Sequence, residues 1–284
     1  MTRPADRRRA IAFVAIIAAW LVGGAPSPGA VELGECADMV REIGAPIYRG
    51  SPPDHAVLCR HGYVLAHNSD RRTPDWVVER LTPDRFSGPA DRKLLKEPFA
   101  ADPDLAAGER AELGDYRRSG FDRGHMAPAA DMKFSLEALK ESFYLSNMTP
   151  QVGKGLNRHI WADLEALVRD WTCDRGNLVV VTCPIYDMPE ERTIGPNHVA
   201  VPSAFYKIVY DPARRRAIAF ILPNQAVDKR GQSAWKALKP HIVSVREVEQ
   251  RVSLDFFNAL PRRDESRIER LRSTMWPVRE GCAR

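Results

Sequence analysis

A run of β-branched and apolar residues at positions 177–185, Asn-Leu-Val-Val-Val-Thr-Cys-Pro-Ile, constrains the fold of this chain more than any other segment. A strand without a polar face must be covered on both sides, so this run is predicted to be the buried central strand of a sheet. Segments 203–210 and 217–222 are predicted to form a hairpin after it. Strands and helices do not alternate regularly, which favours an α+β fold: a mainly antiparallel central sheet flanked by helices.

The densest set of chemically useful side chains lies in residues 116–131, around the tetrapeptide Asp122-Arg123-Gly124-His125. An imidazole titrates near neutral pH and suits proton transfer, and a guanidinium matches the oxygens of a phosphate. Gly124 is expected to adopt backbone angles that a side chain would forbid. These four residues alone leave two interpretations open: a base and an anion clamp for a phosphodiester, or a polar surface loop.

Two downstream blocks bear on this choice. Residues 144–151 are predicted to form a short strand over 144–148 that ends in a polar turn, and residues 156–171 are predicted to form a helix. Asn157 and Glu165 lie on that helix, roughly 12 Å apart along its axis. Glu165 would therefore act through water on anything that Asn157 binds.

These three blocks resemble the DNA/RNA non-specific endonucleases, the ββα-metal or His-Me finger nucleases. That family includes secreted bacterial sugar-non-specific nucleases and mitochondrial endonuclease G. Its pattern is Asp-Arg-Gly-His, then Ser-Asn-aliphatic-Thr-Pro-Gln, then Leu-Asn with Trp and Glu beyond on one helix. All three parts occur here in order, the last as Leu156, Asn157, Trp161 and Glu165. The resemblance spans about residues 59–250 and implies a ββα-metal active-site motif.

The resemblance also implies a metal-dependent nuclease that hydrolyses phosphodiester bonds of DNA and RNA with little sequence preference and leaves 5′-phosphate ends. In this scheme His125 is the general base toward water and Arg123 binds the phosphate. Asn157 offers its carbonyl oxygen to one Mg²⁺, for which Mn²⁺ can substitute. Asn147 supports the His125 loop or the substrate, and Glu165 holds metal-bound waters. A single protein ligand is chemically sensible because Mg²⁺ keeps several of its own waters.

Two other functions are compatible with parts of the pattern. A metal-dependent phosphodiesterase for small esters would use similar side chains in a narrow closed pocket rather than an open groove. A non-catalytic nucleic-acid-binding module would need neither a base nor a metal ligand, so the presence of both His125 and Asn157 argues against it. The sequence does not determine a preference between DNA and RNA, and a homodimer is left open.

Residues 82–114 are predicted to be a long loop, and loops of this length often carry function. Its basic residues Arg85, Arg92, Lys93 and Lys96 face either a phosphate backbone or solvent. The family often has a further phosphate-binding arginine near the end of this region. The sequence there is Lys-Glu-Pro-Phe, so that arginine is missing or displaced and Lys96 is its nearest substitute.

The N-terminal residues 1–25 are predicted to be a signal peptide, with residue 30 as a second cleavage site, and residues 31–284 a single nuclease domain. Arginines precede an apolar run over residues 10–24, which is shorter than the roughly 20 residues of a membrane-spanning helix. An uncleaved anchor is the alternative. Cleavage predicts a protein exported to the periplasm or the cell exterior, without membrane attachment.

Removal of this segment changes what the charge implies. The formal net charge of the chain is +5, and the four arginines and one aspartate of residues 1–25 contribute +3 of it, which leaves +2. So small a bulk charge says little about nucleic-acid binding, and that case must rest on local clusters.

Five cysteines follow the predicted signal peptide: Cys36, Cys59, Cys173, Cys183 and Cys282. In an exported protein they would form two disulfides and leave one free thiol, and sequence alone does not fix the pairing. A Cys36–Cys59 bridge is preferred because it would tie the N-terminal segment to the first strand. Cys183 lies in the apolar run and is expected to be buried and unpaired.

Overall fold

The computed structural model describes residues 33–229, 231–279 and 281–282. The strands are β1 (Ile47–Tyr48), β2 (His55–Cys59), β3 (Val64–Asn68), β4 (Thr73–Leu81), β5 (Asp122–His125), β6 (Met148–Gln151), β7 (Leu178–Ile185), β8 (Arg192–Ile194), β9 (Val199–Val201), β10 (Ala204–Asp211), β11 (Arg216–Pro223), β12 (Ile242–Val243) and β13 (Leu254–Asp255). The α-helices are α1 (Ala37–Val40), α2 (Leu113–Tyr116), α3 (Leu136–Ser142), α4 (Ala162–Arg175), α5 (Ala234–Leu238), α6 (Val245–Val252) and α7 (Arg262–Arg270).

The predicted signal peptide, residues 1–25, lies outside the described residues. Within the described ranges, no helix combines the length and the apolar character that a membrane crossing requires.

The largest sheet in the described part of the chain has seven strands in the order β12-β11-β10-β7-β4-β3-β2. All neighbouring strands in it are antiparallel. Every residue of β7 and β10 is buried, so both faces of the sheet are covered at its centre. The predicted α+β fold and the predicted central strand at 177–185 are confirmed, as is the hairpin, which β10 and β11 form.

Helices and aromatic side chains cover the two faces of this sheet. On one face, a helical segment over Gly153–Trp161 leads into α4, and Trp161 packs on Phe205 of β10 with ring centroids 5.5 Å apart. The next residue of β10, Tyr206, points to the other face and packs on Phe256 at 5.8 Å. Burial of such a side chain stabilises the fold by about 1.5–3 kcal/mol, so these contacts anchor the helical segment and the C-terminal region on the sheet.

The segment that follows α3 differs from its prediction. Residues 144–148 are predicted to form a strand, but Leu145–Asn147 form a 3₁₀ turn and β6 begins directly after it. The Asn147 side chain accepts a hydrogen bond from the Ala127 backbone N–H and donates to two backbone carbonyls. These bonds, two of them to a residue twenty positions away, stabilise a turn in place of a strand ladder.

Two disulfides cross-link the chain. Cys36 and Cys59 are bridged with their Cα atoms 5.6 Å apart, and Cys173 and Cys282 with theirs 5.3 Å apart. Cys183 is buried and free. The preferred Cys36–Cys59 pair and the unpaired Cys183 are confirmed.

Candidate active site

The tetrapeptide motif forms strand β5, which pairs with β6 in a two-stranded ribbon. The antiparallel register sets Asp122 opposite Gln151 and His125 opposite Met148. Gly124 packs so closely on Gln151 that an added Cβ would lie 2.1 Å from the Oε1 atom of Gln151. Its φ is outside the left-handed region, so the predicted reason for a glycine here is wrong: the position needs space, not an unusual backbone angle.

Strand alternation turns the side chains of Arg123 and His125 to one face of β5. Both line a cleft of about 780 Å³, and Asn157 of the helical segment after β6 lines the same cleft. The ribbon and the following helix thus form a ββα arrangement that brings these three sequence-predicted residues together. The cleft is also lined by arginines and apolar side chains, among them Arg92, Arg117, Arg158, Phe99, Leu113, Tyr116, Phe121 and Phe143.

His125 is held between two phenylalanine rings. Its ring centroid lies 5.9 Å from that of Phe99 and 5.0 Å from that of Phe143, the latter edge to face. Its Nε2 atom is buried and has no hydrogen-bond partner in the described part of the chain. Burial, together with the positive charges of Arg92 and Arg123, lowers the pKa of His125 to about 4. The imidazole is therefore neutral at neutral pH and able to accept a proton.

Arginine side chains are fixed on the same aromatic rings. The Arg123 guanidinium lies 4.0 Å from the centroid of the Phe99 ring, and that of Arg92 lies 5.7 Å from the centroid of Phe143. These cation–π contacts orient two positive charges beside His125. The basic residues of the 82–114 loop do not share one environment, so neither a phosphate-facing nor a solvent-facing interpretation holds for all of them. Arg92 lines the cleft, whereas Lys96, the substitute suggested by the sequence, is not among the described residues that line it.

Asn157 is oriented by a carboxylate of the motif itself. Its Nδ2 donates a hydrogen bond of 2.9 Å to Oδ2 of Asp122, which also accepts one of 2.7 Å from Nε of Arg158. Burial alone would raise the pKa of Asp122, but the bonds from Arg158 and Asn157 and the nearby guanidinium charges lower it. An ionised Asp122 fixes the amide nitrogen of Asn157 and leaves its Oδ1 as a free acceptor.

Asn147 is fully buried and is not among the described residues that line the cleft. Its side-chain oxygen accepts from the Ala127 N–H at 2.9 Å, and its backbone carbonyl accepts from the Met126 N–H at 3.0 Å. Both partners directly follow His125 in the chain. Of the two roles predicted for Asn147, its contacts fit support of the His125 loop and not contact with substrate.

Glu165 lies on α4, apart from the side chains that the described cleft residues present. Its pKa is raised to about 7, chiefly by burial and also by Asp131, against the opposing charges of Lys207 and Arg169. Arg169 in turn donates to Asp131 at 2.8 Å. Glu165 thus lies among charged side chains that are not described as lining the cleft, and its role with metal-bound waters stays a prediction.

Several residues of the site carry no assigned role at the sequence level. Asp122, Phe99 and Phe143 are among them, whereas Arg92 is one of four loop cations for which the sequence leaves two interpretations open. The motif does contain one signal. If residues 122–125 form a strand, alternation places Arg123 and His125 on one face and Asp122 and Gly124 on the other. The phenylalanines give no such signal, since they come from separate loops that only the fold brings together.

Known proteins share both the sequence and the fold. Nuclease C1 of Cunninghamella echinulata var. echinulata is 39% identical over 217 residues, which cover 72% of this chain and 83% of the relative. Human mitochondrial endonuclease G is 38% identical over 192 residues, 63% of this chain and 64% of the relative. A crystal structure of an EndoG/EndoGI complex matches with a TM-score of 0.70 and 32% identity, over 83% of this chain and 96% of that chain.

These relatives correct the predicted location. Export to the periplasm or the cell exterior is predicted from the N-terminal segment. However, similar proteins from Homo sapiens, Saccharomyces cerevisiae and Schizosaccharomyces pombe are named as mitochondrial nucleases. The prediction of an exported protein is wrong on this comparison.

The family itself follows from the extent of the match. The sequence model described as DNA/RNA non-specific endonuclease matches residues 45–263, most of the described chain and every residue that lines the cleft. The resemblance inferred from the three sequence blocks is confirmed on this basis. With its antiparallel sheet, its ββα arrangement and relatives that are nucleases, the chain belongs to the DNA/RNA non-specific endonuclease family and is a nucleic-acid hydrolase.

Proposed function

We propose that this nuclease is a divalent-cation-dependent endonuclease that uses Mg²⁺, with Mn²⁺ as a substitute, and leaves 5′-phosphate ends on DNA and RNA. One observation carries the proposal. A neutral imidazole on His125, a free amide oxygen on Asn157 and the guanidinium groups of Arg92 and Arg123 face one cleft. A base, a hard oxygen ligand and anion-binding groups are the parts that phosphodiester hydrolysis requires.

The donor set fits a hard divalent cation. Asp122 occupies the amide nitrogen of Asn157, and no described residue donates to its Oδ1. An amide oxygen that lines a cleft and has no donor is a suitable ligand for Mg²⁺, which would keep most of its waters. When bound, the cation would neutralise charge on the phosphate and stabilise the leaving 3′ oxygen.

His125 is proposed to take the proton of the attacking water. Because its Nε2 is enclosed without a partner, Nδ1 is the nitrogen that would accept this proton from the cleft. A bound phosphate would offset the positive charges of Arg92 and Arg123, two of the causes that lower the pKa of His125. Substrate binding would thus raise that pKa toward the operating pH, where a general base is most effective.

The arginines are proposed to bind the phosphate. Arg123 on Phe99 and Arg92 on Phe143 keep fixed directions, so less conformational entropy is lost when they form paired hydrogen bonds with phosphate oxygens. Contacts of this kind recognise the backbone and carry no base information. This supports action on both DNA and RNA. A homodimer stays a prediction, which sedimentation equilibrium would test.

A digestion assay tests the proposal. Supercoiled plasmid and a structured RNA are incubated with the chain after chelation, and Mg²⁺ or Mn²⁺ is then added back. We expect no cleavage after chelation, restoration by either cation and products that accept a 3′ label without phosphatase treatment. A single-nucleotide phosphodiester should be a poor substrate. Full activity in chelator, or 3′-phosphate ends, would contradict the proposal.

A further inference from the structure

Two arginines of the cleft region, Arg117 and Arg192, carry no role in the hydrolysis proposed above. Arg117 directly follows helix α2 and lines the cleft together with Phe121. Arg192 belongs to strand β8, and its guanidinium carbon lies 4.9 Å from the centroid of the Phe121 ring. Both arginines are exposed. Two separate elements thus bring positive charge to the same part of the molecule.

Neither of these two guanidinium groups is neutralised by a carboxylate. Within the described part of the chain, the side chains of Arg117 and Arg192 form no ion pair and donate no hydrogen bond. Arg158, another arginine of the cleft, is by contrast paired with Asp122. An exposed guanidinium without a carboxylate partner offers its full charge and all of its N–H donors to an anionic ligand.

The β8–β9 hairpin that carries Arg192 is fixed to helix α2. Asp115 of α2 is 1% exposed and accepts hydrogen bonds from the backbone N–H of Asn197 at 2.9 Å and from its Nδ2 at 3.0 and 3.1 Å. Gly195, with a φ of +69°, packs so closely on Asp115 that an added Cβ would lie 2.2 Å from the Asp115 Cα. Hairpin and helix also share a small apolar core that includes Tyr116, Ile194 and Val199. The hairpin therefore holds Arg192 in a defined place beside the cleft.

The spacing along β5 gives the direction in which the positive charge extends from the base. Phe121, Arg123 and His125 line the cleft at intervals of two residues, and each interval of an extended chain advances about 7 Å. Arg192 lies over Phe121 and is thus one interval further from His125 than Arg123 is. A guanidinium at that position suits a neighbouring phosphate of the strand rather than the phosphate that is cleaved.

We propose that Arg117 and Arg192 form a second phosphate subsite, which binds the phosphate adjacent to the scissile one on the same strand. The proposal rests on the function proposed above, because His125 and Arg123 mark the position of the scissile phosphate. A small phosphodiester has no second phosphate and cannot fill the subsite, whereas a polynucleotide of either sugar type can. Contacts of this kind carry no base information.

Phe121 has a supporting role in this subsite. Its ring is partly buried against the small apolar core and so presents a fixed surface to the Arg192 guanidinium. A guanidinium stacked on a ring keeps its edge N–H groups available for paired bonds to phosphate oxygens. The ring thereby limits the conformational freedom that Arg192 loses when it binds.

Short substrates of defined phosphate content test the subsite directly. A dinucleoside monophosphate contains only the scissile phosphate, and the same molecule with a 5′- or a 3′-terminal phosphate offers a second one. For the full-length wild type, one of the two added phosphates should raise kcat/KM by roughly three- to tenfold, a gain between those of an exposed ion pair and a charge-assisted hydrogen bond. Arg117→Gln and Arg192→Gln should each lower this ratio of kcat/KM values, and the double variant should bring it to about one.

Arg216→Gln is the matched control. Arg216 is an exposed arginine at the start of β11 and is not among the described residues that line the cleft. The opposite end of β11 lies nearest the site, because Asn224 there donates to the Pro150 carbonyl of β6 at 3.0 Å. The control should therefore keep the wild-type ratio.

Two results of this assay would overturn the proposal. The first is a wild type that gains nothing from either added phosphate. The second is a double variant that keeps the wild-type ratio, including the case in which it loses the same factor on both substrates, since that loss would reflect a structural defect. Cleavage in chelator or 3′-phosphate ends would refute the catalytic proposal without changing this ratio, so the two failures are distinguishable.

The salt dependence of binding gives a second readout that requires no catalysis. A labelled oligonucleotide with phosphorothioate linkages, which resist hydrolysis, is titrated with full-length His125→Ala at several salt concentrations. Loss of one phosphate contact reduces the slope of log Kd against log salt concentration by about 1. We expect this reduction when Arg117→Gln or Arg192→Gln is added to the His125→Ala parent, and an unchanged slope in both would contradict the subsite.

Discussion

Asn157 and Asp122 are joined by a hydrogen bond of 2.9 Å from the amide nitrogen to the carboxylate. This bond connects the first residue of the tetrapeptide motif to the proposed metal ligand on the helix that follows the ribbon. It determines which end of the Asn157 carboxamide is free, because the nitrogen is occupied. The two blocks of sequence that lie far apart in the chain thus form one functional unit.

Asp122→Asn is expected to weaken metal use although Asp122 is not the proposed metal ligand. The new amide can present its nitrogen to Asn157 and allow that carboxamide to rotate. Loss of such an orienting partner typically costs about 10- to 100-fold in metal affinity or activity. Plasmid cleavage measured against Mg²⁺ concentration should show a higher Mg²⁺ requirement. Asp70→Asn, an exposed carboxylate outside the cleft, is the control and should match wild type.

Alanine variants of the proposed base and of the proposed metal ligand should lose activity for different reasons. His125→Ala loses the proton acceptor, which costs on the order of 10²- to 10⁴-fold in rate, while substrate binding should persist. Added imidazole should restore part of its activity. Asn157→Ala loses occupancy of the metal site, so a high Mg²⁺ concentration should restore part of its activity. If extra Mg²⁺ restored the activity of His125→Ala while Asn157→Ala kept the wild-type metal dependence, the assignment of His125 as base and Asn157 as metal ligand would be wrong.

The sheet was predictable because its signal is local. The apolar run at 177–185 and the alternating segments around it specify strands by composition, and covering their two faces leaves few arrangements. The ends of elements were less predictable, as at 144–148, where the side chain of Asn147 forms bonds with distant backbone groups. Such bonds depend on tertiary structure and produce no periodic pattern in the sequence.

The site was predictable in its polar residues and not in its surroundings. His125, Arg123 and Asn157 stand in recognisable blocks. The depressed pKa of His125, however, arises from burial and from Arg92, which comes from a loop whose basic residues look alike in sequence. Glu165 shows the reverse case: its place in the block suggests a cleft residue, yet the turn of α4 directs it toward Lys207 and Arg169.

The bridge between Cys173 and Cys282 should matter to stability. It closes a loop of 109 residues between α4 and the C-terminal end, and a loop of about 100 residues is worth up to about 4.7 kcal/mol in unfolded-state entropy. Cys282→Ser should therefore lower the free energy of unfolding, by about 2–4 kcal/mol as is typical for a native disulfide. Urea unfolding with and without a reductant measures this. Wild type and variant should converge once reduced, and a difference that persists under reduction would point to another cause.

The pH below which activity declines, its acid limit, should lie well below the ordinary pKa of a histidine. The neutral form of His125 is the active base, and its pKa in the free enzyme is lowered to about 4 by burial and by Arg92 and Arg123. As pH falls, kcat/KM should therefore hold until it approaches 4 and then decline as the imidazole becomes protonated, since kcat/KM reports the free enzyme. A profile of kcat/KM against pH, on an oligonucleotide substrate with saturating Mg²⁺, gives this limit directly.

Arg92→Gln should move that limit to higher pH. Removal of one positive charge beside the imidazole makes its protonation less unfavourable, so the pKa of His125 should rise toward its ordinary value, although burial keeps it lowered. Lys96→Gln is the matched control, because Lys96 is an exposed cation of the same loop outside the described cleft lining. It should keep the wild-type limit. A wild-type limit already near 6.5 would show that burial does not lower the pKa of the base. An Arg92→Gln profile that does not move would show that Arg92 does not affect it.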